Sequence, residues 1–273
     1  MSSRRTFLAA CMATSLVVTI NHSAISADDA SIKLPAKEKL HLYLLIGQSN
    51  MAGRGEVEAA DKVAHPRVLA FSKDHAWTPA VDPLHFDKSS AGVGLGSTFG
   101  RVMAEADPSI TIGLVPCAVG GTPLSRWEKD RDLYEQAIVR AKLALKDGTL
   151  KGILWHQGEA DSAKEETARS YADRLSQMIQ DMRAELNAEQ APFVAGELGR
   201  FLRKVNAQGN PSFWPLVNEQ LHAIPARVPR TAVASSEGLA AKSDQVHFDS
   251  ASLREYGKRY AAAMQNLQAA KTP

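Results

Sequence analysis

From about residue 40 onward the chain alternates two hydrophobic patterns. Short, continuous apolar runs near Leu40 to Ile46, Ile110 to Val115, Gly152 to Trp155, Phe193 to Ala195 and Thr231 to Ala234 are bounded by glycine, proline or polar residues. They are too short for helices and read as strands buried on both faces. Helix-like segments alternate with them at Ser97 to Ala106, Asp132 to Lys146, Glu165 to Leu186, Trp214 to Ile224 and Ala251 to Leu267. Between residues 165 and 186, Tyr171, Leu175, Met178, Ile179 and Met182 recur at three- and four-residue steps and trace one buried face. Strands alternating with helices imply right-handed crossovers, so the pattern predicts an α/β fold: a three-layer α/β/α sandwich around a five-stranded parallel sheet. Glu56 to Ser90, with Pro66, Pro79 and Pro83, reads as a long loop holding a short strand at Arg67 to Phe71. Gly92-Val93-Gly94-Leu95-Gly96 follows no strand, so it reads as a turn into the next helix and not as a dinucleotide fingerprint.

The first residues stand apart from this alternation. Ser3-Arg4-Arg5-Thr6-Phe7-Leu8-Ala9, the apolar stretch Phe7 to Ile20 and the small residues up to Ala27 have the form of a twin-arginine export signal, residues 1–27. That stretch is shorter than the roughly 20 residues a membrane span needs, so no membrane contact is expected once the signal is removed. A polar linker, 28–39, then leads into one domain, 40–268. The expected destination is the periplasm or the medium. Losing residues 1–27 removes Arg4, Arg5 and Cys11, which takes the formal net charge from +2 to 0 and leaves Cys117 as the one cysteine. No basic field for nucleic acid and no intrachain disulfide is then expected.

Polar residues gather where the apolar runs stop. The first run ends in Gly47-Gln48-Ser49-Asn50-Met51-Ala52-Gly53-Arg54. This puts Ser49 at the carboxyl end of a strand, where open α/β sheets keep their ligand crevice. The second run leads into Val119-Gly120-Gly121-Thr122 and, further on, Arg126-Trp127; the third ends in Trp155-His156-Gln157-Gly158-Glu159-Ala160-Asp161. Paired glycines let a backbone N–H approach a ligand, and dense polar side chains after a buried strand need partners. Ahead of the last helix, Asp244 stands three residues before His247, a spacing that lets the carboxylate hold Nδ1 while Nε2 accepts a proton from a serine. Together these form a nucleophile, a base, its orienting acid and oxyanion donors on one sheet edge. The histidines at 65, 75 and 85 have no metal-ligand spacing, so no metal is expected.

In these four motifs the sequence resembles the SGNH (GDSL-like) hydrolases, and within them the sialate O-acetylesterase and acetylxylan esterase group, carbohydrate esterase family six. The resemblance spans about residues 40 to 265 and implies a flavodoxin-like sandwich, a Ser-His-Asp triad, no cofactor and an acetylated carbohydrate as substrate. Residue by residue it implies Ser49 as nucleophile, His247 as base and Asp244 as its partner. The oxyanion donors would be Ser49, one of Gly120 and Gly121, and Gln157, which stands where other SGNH enzymes carry asparagine. Glu159 is a second acid, either a rival of Asp244 for His247 or a support behind it. Arg54, Arg126 and Trp127 are candidates for the substrate pocket. Two other readings are a carbohydrate-binding protein that kept the fold without chemistry, and a lipase or esterase for other esters. The Gly-x-Ser-x-Gly elbow of the α/β-hydrolases is absent, since Met51 stands at the second glycine position.

Overall fold

The structure, a computed structural model, describes residues 32–203, 205 and 209–270. The segment expected to be an export signal and the start of the expected linker lie outside these residues. Strands β1 (Leu40–Gly47), β2 (Val68–Phe71), β3 (Trp77–Pro79), β4 (Thr111–Pro116), β5 (Thr149–His156), β6 (Phe193–Gly196) and β7 (Thr231–Ala234) form one sheet in the order β3-β2-β4-β1-β5-β6-β7. All neighbours pair in parallel except β2 and β3. The sheet therefore has seven strands where five were expected: the short strand read in the long loop is β2, and β3 folds back onto it as an antiparallel edge. β3 escapes a pattern reading because it is three residues long and largely exposed.

Helices α1 (Ser49–Ala52), α2 (Leu95–Ala106), α3 (Asp132–Ala144), α4 (Glu165–Arg169), α5 (Tyr171–Glu185), α6 (Trp214–Arg227) and α7 (Ser250–Ala269) alternate with the strands. The expected helix from Glu165 to Leu186 is broken into α4 and α5 at Ser170. β1 shows how the layers form. Successive side chains of a strand point to opposite faces, so Leu42, Leu44 and Ile46 pack with Tyr134, Tyr171 and Leu175 of α3 and α5. Tyr43 and Leu45 pack instead with Phe99 of α2 and Tyr256, Tyr260 and Met264 of α7.

β1 lies between β4 and β5. The chain adds strands to one side of β1 before crossing to the other, so the carboxyl end of β1 is the switch point at which loops part and leave a crevice. The residue after β1 and Gln48 is Ser49.

Candidate active site

Glycine makes the turn at the end of β1 feasible. Gly47 has φ +129°, and a Cβ there would lie 2.2 Å from the carbonyl oxygen of His156, so only a bare backbone lets β1 run this close to β5. Gln48 N–H then donates to that same carbonyl at 2.8 Å, and the single-turn helix α1 starts at Ser49. Ser49 is nearly buried, and its backbone N–H has no protein acceptor among the described residues.

The loop ahead of α7 brings the imidazole to it. His247 Nε2 lies 2.9 Å from Ser49 Oγ, and Nδ1 lies 2.8 Å from Asp244 Oδ2. Gln245, at φ +57°, curls the intervening backbone, and Asp244 Oδ1 accepts the N–H groups of Val246 and His247, each at 2.9 Å. Burial pushes the Asp244 carboxyl up, but those two N–H groups and the His247 ring outweigh it and hold the group down at about 2. The carboxylate is thus charged and fixed. Asp249 ends the loop as the N-cap of α7, accepting Ser252 N–H at 2.7 Å.

Asn50 and Glu159 support this loop. Asn50 Nδ2 donates to Glu159 Oε1 at 2.5 Å and to Val246 O at 3.3 Å, while Asn50 Oδ1 accepts Phe248 N–H at 3.2 Å. One amide therefore clamps both sides of His247. Glu159 faces Asn50 and, at 3.6 Å, His156 Nε2. Of the two acids, Asp244 is the one bonded to His247. Burial opposes the charge on Glu159, yet His156 and Asn50 bring its carboxyl below the ordinary range. The sequence reading missed Asn50, although its place next to Ser49 marks a side chain that must point somewhere near the site.

Gln157 is a correction. It is fully buried, and its Nε2 donates to Asp161 Oδ2 at 2.7 Å and to Thr122 O at 3.0 Å, while Oε1 accepts Tyr171 O–H at 2.8 Å. Both amide hydrogens are spent inward, so this side chain presents no free donor to an oxyanion. Trp127 is also corrected: it is buried edge-on against Trp155, its Nε1–H bonded to Thr122 Oγ1 at 3.1 Å, and it belongs to the core. Arg126 is exposed and ion-paired with Asp132 instead of lining a pocket. Arg54 is buried beside the site, paired with Asp87 at 2.6 Å. Gly120 and Gly121 sit in the turn after β4. A Cβ on Gly120 would meet Ser49 Cβ at 3.4 Å, and its N–H donates to Asp87 Oδ2 at 2.8 Å. Gly121 has φ +79° and open space where a side chain would be.

A cleft of about 330 Å³ borders the loop, lined by Glu159, Ser162, Leu202, Asp244 and Val246 among others. A larger cavity, about 600 Å³, opens instead among Thr149, Pro192 and Arg230, at the opposite ends of the strands. Among the described residues no group of three or more His, Cys, Asp or Glu side chains is placed to hold a metal ion.

The doubly wound sheet and the hydroxyl, imidazole and carboxylate at the end of its central strand define the chain as an SGNH-type hydrolase. The family described as "Carbohydrate esterase, sialic acid-specific acetylesterase" matches residues 39–266, and the chain belongs to it. It is 30% identical over 246 residues to the Arabidopsis thaliana protein named "Probable carbohydrate esterase", covering 81% of this chain and 89% of that one. The solved structure of an A. thaliana protein superposes with TM-score 0.74 at 28% identity, covering 83% of this chain and 98% of that one. NanS superposes with TM-score 0.66 at 16% identity, over 86% and 99% of the two chains. XAC1771, a carbohydrate acetylesterase from Xanthomonas citri, gives TM-score 0.62 at 21% identity, over 85% of this chain and 57% of that one. The last two likenesses concern the fold alone.

Proposed function

We propose that this hydrolase removes O-acetyl groups from a carbohydrate by two-step acyl transfer. The observation that carries the reading is the unbroken chain from Ser49 Oγ through His247 to Asp244, with links of 2.9 and 2.8 Å. His247 Nε2 takes the Ser49 proton as Oγ attacks the acetyl carbonyl, and the negative charge on the carbonyl oxygen is met by backbone N–H groups, that of Ser49 among them. As the tetrahedral intermediate collapses, the proton on Nε2 passes to the departing sugar oxygen. Water, deprotonated by the same nitrogen, then releases acetate and restores Ser49.

The leaving oxygen has to lie within reach of Nε2, which puts the sugar on the His247 side. The cleft there mixes hydroxyls, the carboxylates of Glu159 and Asp244 and the apolar surfaces of Leu202 and Val246, a lining suited to a pyranose ring with its polar edge and apolar faces. Family membership supports the sugar ester over a lipid one. Residues 1–27 fit export, with the enzyme acting on acetylated glycans in the periplasm or outside the cell.

The test is acetate release from a panel of acetylated sugars: acetylated xylo-oligosaccharides, another acetylated polysaccharide and O-acetylated sialic acid. Wild type is expected to act on at least one, and Ser49→Ala on none. Hydrolysis by Ser49→Ala at the wild-type rate would end the proposal. Preference for long-chain aryl esters over every sugar acetate would replace it with a lipase reading.

A further inference from the structure

The Arg54–Asp87 pair takes no part in the proposed acyl transfer, yet it is buried next to the nucleophile. The Asp87 side chain is 1% exposed and that of Arg54 is 7% exposed. Arg54 leaves the Ser49 helix, Asp87 comes from the long loop before α2, and Gly120 follows β4, so three distant segments meet on one carboxylate. Asp87 Oδ2 accepts from Arg54 Nη2 at 2.6 Å and from Gly120 N–H at 2.8 Å; Oδ1 lies 3.4 Å from Arg54 Nη1. Arg54 Nη1 is also tied to Gly53 O at 2.7 Å.

The fit around Gly120 is close. A Cβ there would come within 2.5 Å of Arg54 Nη2 and 3.1 Å of Asp87 Oδ2, as well as 3.4 Å from Ser49 Cβ. Gly120 therefore sits between the ion pair and the nucleophile with no slack. Its own N–H is taken by Asp87. The next N–H along the chain, that of Gly121, has no protein acceptor among the described residues, and Gly121 holds a left-handed conformation with nothing within 4 Å of its absent side chain.

We propose that Asp87, with Arg54 as its counter-ion, is a positioning residue that fixes the Gly120 peptide against Ser49 and so leaves the Gly121 and Ser49 N–H groups as the oxyanion donors. Charge-assisted bonds to a carboxylate are short and directional, which suits a group whose task is to fix a turn. Removing the carboxylate leaves a buried guanidinium without its partner and an N–H without an acceptor, and both relax by moving. Movement of about 1 Å at a site that stabilises a transition state can cost about 10²-fold in rate. The inference rests on the esterase reading of Ser49.

The test compares Asp87→Ala and Asp87→Asn, with 4-nitrophenyl acetate as substrate. Asn keeps an acceptor oxygen for Gly120 N–H and is close in shape, so it also serves if the Ala variant does not fold. Expected for Asp87→Ala is a fall in kcat of about 10²-fold with KM changed by no more than about 3-fold, because the interaction is lost in the transition state only. Asp87→Asn should recover about 10-fold of that loss, and phosphonylation of Ser49 by an organophosphorus reagent should follow the same order. A kcat within about 2-fold of wild type in Asp87→Ala, a loss confined to KM, or an Asn variant no better than Ala overturns the proposal. A rise in kcat overturns it too, since the carboxylate would then be screening the donor. Ser49→Ala, run in parallel, separates the two readings: activity in that variant defeats the esterase mechanism, whereas a dead Ser49→Ala beside a normal Asp87→Ala defeats only the positioning role.

Discussion

His247 Nδ1 lies 2.8 Å from Asp244 Oδ2 on a loop whose own N–H groups hold the carboxylate ionised down to about pH 2. A depressed carboxyl contributes to stability above its unfolded pKa, near 3.9, and loses that contribution as pH falls through the folded value. Over the pH range in which a histidine base works, Asp244 therefore stays charged. Asp244→Asn should leave the fold intact and cut kcat/KM for an aryl acetate by at least about 10²-fold, because an amide can donate to Nδ1 and favour the wrong tautomer. Steady-state rates with circular dichroism as the fold control check this. A variant within 3-fold of wild type would mean that His247 needs no partner here.

Gln157 predicts a loss of stability. Its carboxamide is enclosed by Asp161, Thr122 and Tyr171. Truncation to Ala strands the buried Thr122 carbonyl and takes one bond each from Asp161 Oδ2 and the Tyr171 hydroxyl, at a cost of roughly 2–3 kcal/mol, or roughly 5–10 °C in melting temperature for a chain of this size. Differential scanning calorimetry measures it. An unchanged melting temperature together with a hundredfold fall in kcat would restore the amide as a direct oxyanion donor.

Asn50 bridges Glu159 to the backbone on both sides of His247. Asn50→Ala frees that loop and should lower kcat by about 10-fold or more, since orientation of the base is lost without loss of any reacting group. Asn50→Asp should be worse than Ala, because it sets a carboxylate against Glu159 Oε1 where Nδ2 had donated. Comparing kcat for the two variants, and amide hydrogen exchange at residues 246–248, tests the order.

These side chains show where a linear reading succeeds and fails. Ser49 was legible because it stands at the abrupt end of an apolar run, and Asp244 and His247 because they stand three residues apart just ahead of the last helix; in a doubly wound sheet both places fall on one edge. Position along a loop does not give direction, however. Gln157 and Glu159 are two residues apart, yet one amide is spent inward on Asp161 while the other side chain borders the cleft. Arg126 and Trp127 are adjacent, yet one meets solvent and the other the core. Asp87 lay in a stretch without period, so only the folded loop reveals that it faces Gly120. The six parallel strands, short β2 among them, were readable from runs of apolar residues, whereas β3 has too few buried positions to make a pattern.

Asp82 gives a pH dependence that is independent of the chemistry at Ser49. It is 4% exposed, its Oδ1 receives a long bond, 3.4 Å, from Gly94 N–H, and the hydrogen bonds from Gly94 and the Ser97 side chain, which favour the charged form, do not offset its burial. Burial pushes its carboxyl up to about 7, and nearby Asp61 adds to the rise. An acid that holds its proton more tightly when folded favours folding fully below its unfolded pKa, near 3.9, and that advantage is lost as pH climbs through the folded value. From this group alone, stability should decline between about pH 4 and pH 7, by an amount on the order of a few kcal/mol. Asp82→Asn removes the ionisation while keeping an acceptor for Gly94 N–H. The variant should melt near the wild-type temperature at about pH 4.5 and several degrees above it at about pH 8. Melting curves of the two proteins that stay parallel across this interval would show that Asp82 ionises normally in the folded chain.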